Sequence, residues 1–171
     1  MFYVLKDVQR GNVRGDTEAS EEAPWKQGEA TACPACGGYV TLLPWLPPHR
    51  ASLECWDREF GDLAFGVGED LLVSERFKRL YQEAGLTGLS GFDPVKIVKV
   101  KRHKRFQGDP PAYFHVRVGR TEAAIDLERS GFVWGEPDKV CPVCRGGGDL
   151  WRWKRIVIEE GTWTGEDIFI P

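Results

Sequence analysis

Two short cysteine turns, far apart along the chain, constrain its fold more than any other sequence feature. They are residues 33–37 (CPACG) and 141–145 (CPVCR), and each places two thiols three positions apart in a turn that also holds a proline. Zinc prefers thiolate ligands in a tetrahedral arrangement, and two such turns supply four of them. Four cysteines leave no open position for water or substrate, so we expect a structural zinc ion rather than a catalytic one. The predicted ligands are Cys33, Cys36, Cys141 and Cys144.

The long stretch between the turns determines the predicted domain organisation. If both turns bind one ion, they hold together a single domain, residues 1–171, around an inserted α+β region, residues 38–140. The turns are ribbon-like, but zinc ribbons have much shorter insertions, so the motif alone does not indicate nucleic-acid binding. An iron centre or a redox-active dithiol remains an alternative to zinc, although a thioredoxin-like site needs only one such turn.

Composition and periodicity favour a β-rich α+β fold. The 171 residues include 20 Gly and 11 Pro, which favours many turns and short strands, and 42% are hydrophobic, which suffices for a core. Ser74 can cap a helix whose apolar positions recur at helical spacing as far as Gly85, so we predict one clear helix at about 74–84. Residues 94–104 and 113–118 are predicted to pair as a hairpin in a mostly antiparallel sheet.

The local sequence pattern predicts the secondary structure of three further segments. Phe2 to Val8 alternates in part and is predicted to be a first strand, and residues 9–30 are predicted to form a polar loop. Residues 150–158 follow the second cysteine turn and are predicted to be a strong strand.

The charge distribution leaves nucleic-acid binding open as an alternative function. The net charge is −3 and the pI is about 5.7, whereas general nucleic-acid binders are usually basic. Residues 96–105 nevertheless contain six lysines and arginines. This basic stretch could contact phosphates, or it could be a solvated edge strand whose lysines oppose edge-to-edge pairing. We favour the second interpretation.

The sequence contains no recognisable catalytic motif. His49, His103 and His115 lie in no nucleophile or metal motif, and no GxSxG, HExxH or phosphate-binding loop stands in a suitable context. We therefore predict that the protein is not an enzyme. Many tryptophans and acidic residues fit a protein-binding role instead. The predicted contacts, near a proline-rich rim, are Trp45, Trp56, Asp57 and Glu59.

Compartment and cysteine usage are consistent with a metal-binding protein. No apolar stretch reaches 18 residues and the N-terminus lacks the features of a signal peptide, so we expect a cytoplasmic protein without a membrane span. Thiols stay reduced there and remain available to a metal. The fifth cysteine, Cys55, is predicted to be a small buried apolar residue.

The two cysteine turns occur together with residues 72–80 (LVSERFKRL), 85–88 (GLTG) and 163–169 (WTGEDIF). This combination resembles the double-CxxCG motif family of myxobacterial proteins, classed as immunity proteins of swarming-inhibition (Sit) toxin–immunity systems. The resemblance implies a cytoplasmic protein that binds and neutralises a cognate bacterial toxin without catalysis. The second turn departs from the family pattern at Arg145, where the family has glycine. Because arginine is disfavoured at positive φ, we expect the second turn to differ in shape from the first.

Overall fold

Six strands close into a barrel in the computed structural model, which describes residues 2–3, 17–41, 43–67, 70–104 and 108–171. The barrel order is β1-β4-β7-β8-β6-β5, and two additional sheets, β2 with β3 and β9 with β10, have two strands each. The strands are β1 (Thr17–Glu21), β2 (Lys26–Gln27), β3 (Trp45–Leu46), β4 (Arg50–Cys55), β5 (Leu63–Val67), β6 (Asp70–Ser74), β7 (Leu89–Arg102), β8 (Tyr113–Val118), β9 (Val133–Trp134) and β10 (Leu150–Arg152); the helices are α1 (Glu75–Glu83) and α2 (Leu127–Ser130), with a 3₁₀ turn at Pro137–Lys139.

The predicted α+β class is wrong, because the strands form a closed barrel whose sheet is mixed, although antiparallel pairs outnumber parallel ones. Strand β7 pairs in parallel with β4, and β5 closes the barrel by pairing in parallel with β1 at Glu18 and Phe65. The other four neighbouring pairs are antiparallel. Of the two α-helices in the described residues, α2 is a single turn, so α1 is the one helix of substantial length.

The long strand β7 explains why the predicted hairpin of residues 94–104 with 113–118 is mostly wrong, since only Pro94 and Val95 of the first segment pair with β8. Its first half pairs antiparallel with β8, from Leu89 opposite Val118 to Val95 opposite Tyr113. Its second half leaves β8 and pairs in parallel with β4, ending with Arg102 opposite Cys55. Alternation identifies such a segment as a strand, but it does not specify which partner each half will have.

Strand β1 lies within the segment that was predicted to be a polar loop. Thr17 and Ala19 are buried in the barrel, although neither has a large apolar side chain. Small residues fit the interior of the barrel but give the sequence no alternating hydrophobic pattern from which a strand could be predicted.

The predicted strand at 150–158 is also wrong beyond Arg152, where β10 ends. Most of the predicted first strand lies outside the described residues.

Helix α1 confirms the predicted helix. The Ser74 hydroxyl accepts a hydrogen bond from the Phe77 N–H at 3.1 Å, which is the expected N-cap contact. Gly85 follows the C-cap with φ 65°, a backbone conformation that glycine adopts at low cost. Tyr81 is buried, and its hydroxyl accepts a hydrogen bond from the Leu89 N–H at 2.9 Å. The helix therefore fixes the position at which β7 enters the barrel.

Apolar side chains fill the barrel and a second layer under α1. Inside the barrel lie Leu53, Leu72 and Tyr113, among others, and Leu71, Val73 and Val116 form a second cluster on which Phe77 of α1 packs. Cys55 is fully buried in strand β4, which confirms the prediction made for it.

Two segments that carried the family resemblance meet in space. The Asp167 carboxylate accepts hydrogen bonds from the N–H and the hydroxyl of Thr87, at 2.8 and 3.0 Å. The Ile168 N–H donates to the Thr87 carbonyl at 3.2 Å. Residues 163–169 and 85–88 therefore form one structural unit that attaches the C-terminal segment to the turn between α1 and β7.

Candidate metal centre

The four cysteines of the two turns converge, as predicted. The Sγ atoms of Cys33 and Cys141 are 3.9 Å apart, and those of Cys36 and Cys144 are 3.7 Å apart. All four sulfurs lie within 4.8 Å of one another. A tetrahedral site with metal–sulfur bonds of about 2.3 Å has sulfur–sulfur distances of about 3.8 Å. The cluster therefore has a geometry that could bind a metal ion.

The two turns share one backbone conformation. In the first turn the Gly37 N–H donates to the Cys33 carbonyl at 2.9 Å, and in the second the Arg145 N–H donates to the Cys141 carbonyl at 2.8 Å. Gly37 has φ 73° and Arg145 has φ 56°. The expectation that the second turn would differ in shape is therefore wrong.

Contacts of the Arg145 side chain accompany its unusual backbone conformation. Its guanidinium donates to the Ile125 carbonyl at 3.0 Å and lies 3.9 Å from the Glu159 carboxylate. A non-glycine residue at positive φ costs free energy and persists where the surrounding structure holds it. The turn hydrogen bond and these two contacts provide that support.

Antiparallel pairing closes the base of each turn. Ala32 bridges Tyr39 around the first turn, and β9 pairs with β10 around the second. The cysteine region is nevertheless not a zinc ribbon, because the first turn has only this single bridge. Gly148 has a structural explanation, since a Cβ there would lie 2.7 Å from the Glu136 carbonyl oxygen.

Local hydrogen bonds prepare two of the thiols for deprotonation. Backbone N–H groups of the same turn, that of Ala35 foremost, lower the pKa of Cys33. In the second turn, backbone N–H groups lower the pKa of the Cys141 thiol to about 6, and the N–H of Cys144 contributes most. A backbone N–H also lowers the pKa of Cys36, but the three other thiols outweigh it and raise that pKa to about 12. A bound cation would oppose this mutual repulsion and favour the thiolate at every position.

The four predicted partner contacts do not form one exposed surface. Trp45 is only 3% exposed and belongs to the barrel core. Trp56 is half-buried and stacks on His103, with ring centroids 3.5 Å apart. Asp57 is half-buried and lies 3.5 Å from the Lys104 ammonium, and Glu59 is exposed. Trp45 therefore does not fit an exposed contact.

Three apolar side chains within and after the second cysteine turn are exposed. We call Val143, Trp151 and Trp153 the aromatic face; they are 61%, 71% and 53% exposed. Trp151 lies over Gly135, where a Cβ would be 2.7 Å from the Trp151 Cζ2 atom. The sequence signal was a pair of tryptophans two positions apart at β10, which sequence reasoning assigned only to a strand.

Acidic neighbours partly neutralise the basic stretch. The Lys101 ammonium lies 2.9 Å from the Glu54 carboxylate, and His103 lies 2.5 Å from the same group. Hydrogen bonds from Lys101, and then from His103, lower the pKa of Glu54. The Arg102 guanidinium donates to the Gly108 carbonyl at 2.6 Å, and Arg105 lies outside the described residues. Nucleic-acid binding stays a prediction, and these contacts reduce the positive charge available for it.

Comparisons with known proteins identify no relative. No family model, curated protein or solved structure matches the chain. Among the described residues, no helix combines the length and apolar character needed to cross a bilayer. The family resemblance therefore rests on the sequence motifs alone.

Proposed function

We propose that this protein binds and neutralises a bacterial toxin in the cytoplasm, and that a structural zinc ion at the four cysteines holds its contact surface in place. The observation that carries this proposal is the aromatic face, whose two tryptophans are exposed on β10 and directly after it. The resemblance to the double-CxxCG immunity proteins supplies the class of partner.

The exposure of the two tryptophans supports a binding surface. Trp151 and Trp153 are more than half exposed, although tryptophan is among the residues most favourable to bury. Tryptophan is also enriched at the centre of protein interfaces, where a few such residues contribute most of the binding free energy. An exposed aromatic surface of this kind marks an interaction site in many proteins.

The cysteine cluster gives this surface its rigidity. Val143 lies within the second turn, and Trp151 lies on β10, which pairs with β9 at the base of the turn. A preorganised surface loses less conformational entropy when it binds a partner. Structural sites with four thiolate ligands typically hold zinc, which is why we propose zinc rather than iron. Elemental analysis of the purified protein distinguishes the two metals.

Co-expression with the toxin encoded by the neighbouring gene tests the proposed function. We expect the wild-type protein to restore growth and to co-purify with that toxin. If it does neither, the proposal fails.

A pair of variants then tests the contact surface. The double variant Trp151→Ala/Trp153→Ala should lose co-purification, because it removes the two largest side chains of the aromatic face. Trp25→Ala is the matched control, since Trp25 is 50% exposed and lies outside that face. If the double variant protects as well as the wild type does, the toxin binds elsewhere.

A further inference from the structure

Two histidines and an aspartate from neighbouring barrel elements meet in space. His49 directly precedes β4, Asp93 lies on β7, and His115 lies opposite Asp93 on β8. The Lys96 N–H donates to the His49 carbonyl at 3.0 Å, which places His49 beside β7. One ring nitrogen from each histidine and one Asp93 oxygen lie within 4.8 Å of one another. The sequence gives no sign of this cluster, because its members lie on three separate elements.

Both histidines of this cluster are buried, and His115 lacks hydrogen-bond partners in the described part of the chain. His49 and His115 are 4% and 2% exposed. Within the part of the chain that the structure describes, neither ring nitrogen of His115 makes a hydrogen bond. Buried polar groups in native proteins nearly always have a partner, so the Nδ1 atom of His115, which has neither a hydrogen bond nor an ion pair among the described residues, points to a ligand.

The surroundings indicate which nitrogen of each ring is available. His49 Nε2 lies 3.2 Å from the Trp45 carbonyl oxygen. His115 Nε2 lies 2.9 Å from the Asp70 carboxylate. Histidines that bind metals usually direct their other nitrogen to a carbonyl or a carboxylate in this way. Nδ1 of each ring is therefore the nitrogen that we assign to a ligand.

The buried Trp45 packs against both histidines. Its ring meets the rings of His49 and His115 edge to face, with centroids 4.7 and 5.5 Å away. The two imidazoles are themselves 4.4 Å apart. Burial lowers the pKa of His49 and favours the neutral ring, which is the form that binds a metal.

We propose that His49, Asp93 and His115 bind a divalent transition-metal ion at a second site, distinct from the four-cysteine centre. Imidazole and carboxylate ligands suit zinc, iron, manganese or cobalt, whereas four thiolates form a softer site. The two carboxylates, Asp93 at the ion and Asp70 beside His115, offset its charge. Three protein ligands leave at least one coordination position for water or a small ligand, which the four-cysteine site does not offer. This inference does not depend on toxin binding.

Cobalt provides a probe that distinguishes the two sites. The full-length protein is produced in cobalt-supplemented medium, and its cobalt content and absorption spectrum are measured. Thiolate ligands give cobalt an intense charge-transfer absorption, and nitrogen and oxygen ligands do not. We expect about two ions per chain, one of them without charge-transfer absorption.

Variants assign the second ion to its ligands. Both His115→Gln and the milder Asp93→Asn should lose about one ion per chain while the charge-transfer absorption, which reports an intact four-cysteine site, is retained. His103→Gln is the matched control and should keep both ions, because His103 lies outside the cluster and stacks on Trp56. The proposal is overturned if the wild-type protein binds a single cobalt ion with thiolate absorption, or if His115→Gln and Asp93→Asn both retain the second ion.

Discussion

Replacing Gly88 by alanine would drive a methyl group into the C-terminal segment. A Cβ at this position would lie 2.8 Å from the Ile168 carbonyl carbon and closer still to its oxygen. Gly88 also has φ 101°, a conformation that residues with a side chain rarely adopt. Gly165 is the matched control, because it has φ 112° but, in the described part of the chain, a Cβ there would meet no atom within 4 Å beyond its chain neighbours. The pair separates backbone strain from the steric conflict.

The expected magnitude follows from the contacts that the methyl group would displace. Both alanine variants incur backbone strain of about 1–3 kcal/mol. Gly88→Ala also moves Ile168, and with it the four hydrogen bonds that join Thr87 to residues 167 and 168. At about 0.5 kcal/mol for each of these exposed bonds, the additional loss is about 2 kcal/mol.

Urea unfolding followed by tryptophan fluorescence measures this difference. With an m-value of about 2 kcal/mol/M, Gly88→Ala should unfold at a urea concentration about 1 M lower than Gly165→Ala. Equal midpoints for the two variants would refute the reasoning, because they would show that contact with Ile168 adds nothing to the backbone strain.

Two further predictions concern the candidate metal centre and the carboxylate of Asp62. Cys36→Ser should lower both the metal content and the free energy of unfolding, because the free energy of metal binding contributes to folding. Cys55→Ala should lower the free energy of unfolding but keep the metal. If the metal-free protein is as stable as the metal-bound protein, the metal has no structural role. Hydrogen bonds hold the pKa of the Asp62 carboxyl below its usual range, and the bond from Arg76 contributes most. Its contribution is therefore present above the unfolded pKa of about 3.9 and is lost as pH falls through the lower folded pKa. Asp62→Asn should lower the free energy of unfolding by about 1 kcal/mol at neutral pH, a modest value because Arg76 is exposed, and by progressively less in acid. A loss that does not change with pH would show that the lowered pKa of Asp62 does not contribute to stability.

Local features were predicted well because their causes lie within a few residues. The cap at Ser74, the glycine at position 85 and the apolar spacing between them specify α1 without any distant contact. Each cysteine turn is likewise specified by its own backbone hydrogen bonds. The buried state of Cys55 follows from its apolar character.

Strand pairing was predicted poorly because it depends on partners far along the chain. The two halves of β7 pair with β8 and with β4, and no local pattern distinguishes them. Strand β1 is polar and short, yet its small residues suit the barrel interior. Trp45 was expected at an exposed rim, but tertiary packing places it against the two histidines.

The sequence by itself determined the two cysteine pairs, since the spacing within each turn directs its two sulfurs toward one position. It did not determine the closed barrel, the aromatic face or the cluster of His49, Asp93 and His115. The barrel and the histidine cluster arise when β4, β7 and β8 come together, because strand closure brings into contact residues that have no relation along the chain. The aromatic face depends instead on β10, which pairs with β9 outside the barrel. The physical reason is that turn geometry is a short-range property, whereas barrel register and burial are set by the packing of the whole molecule.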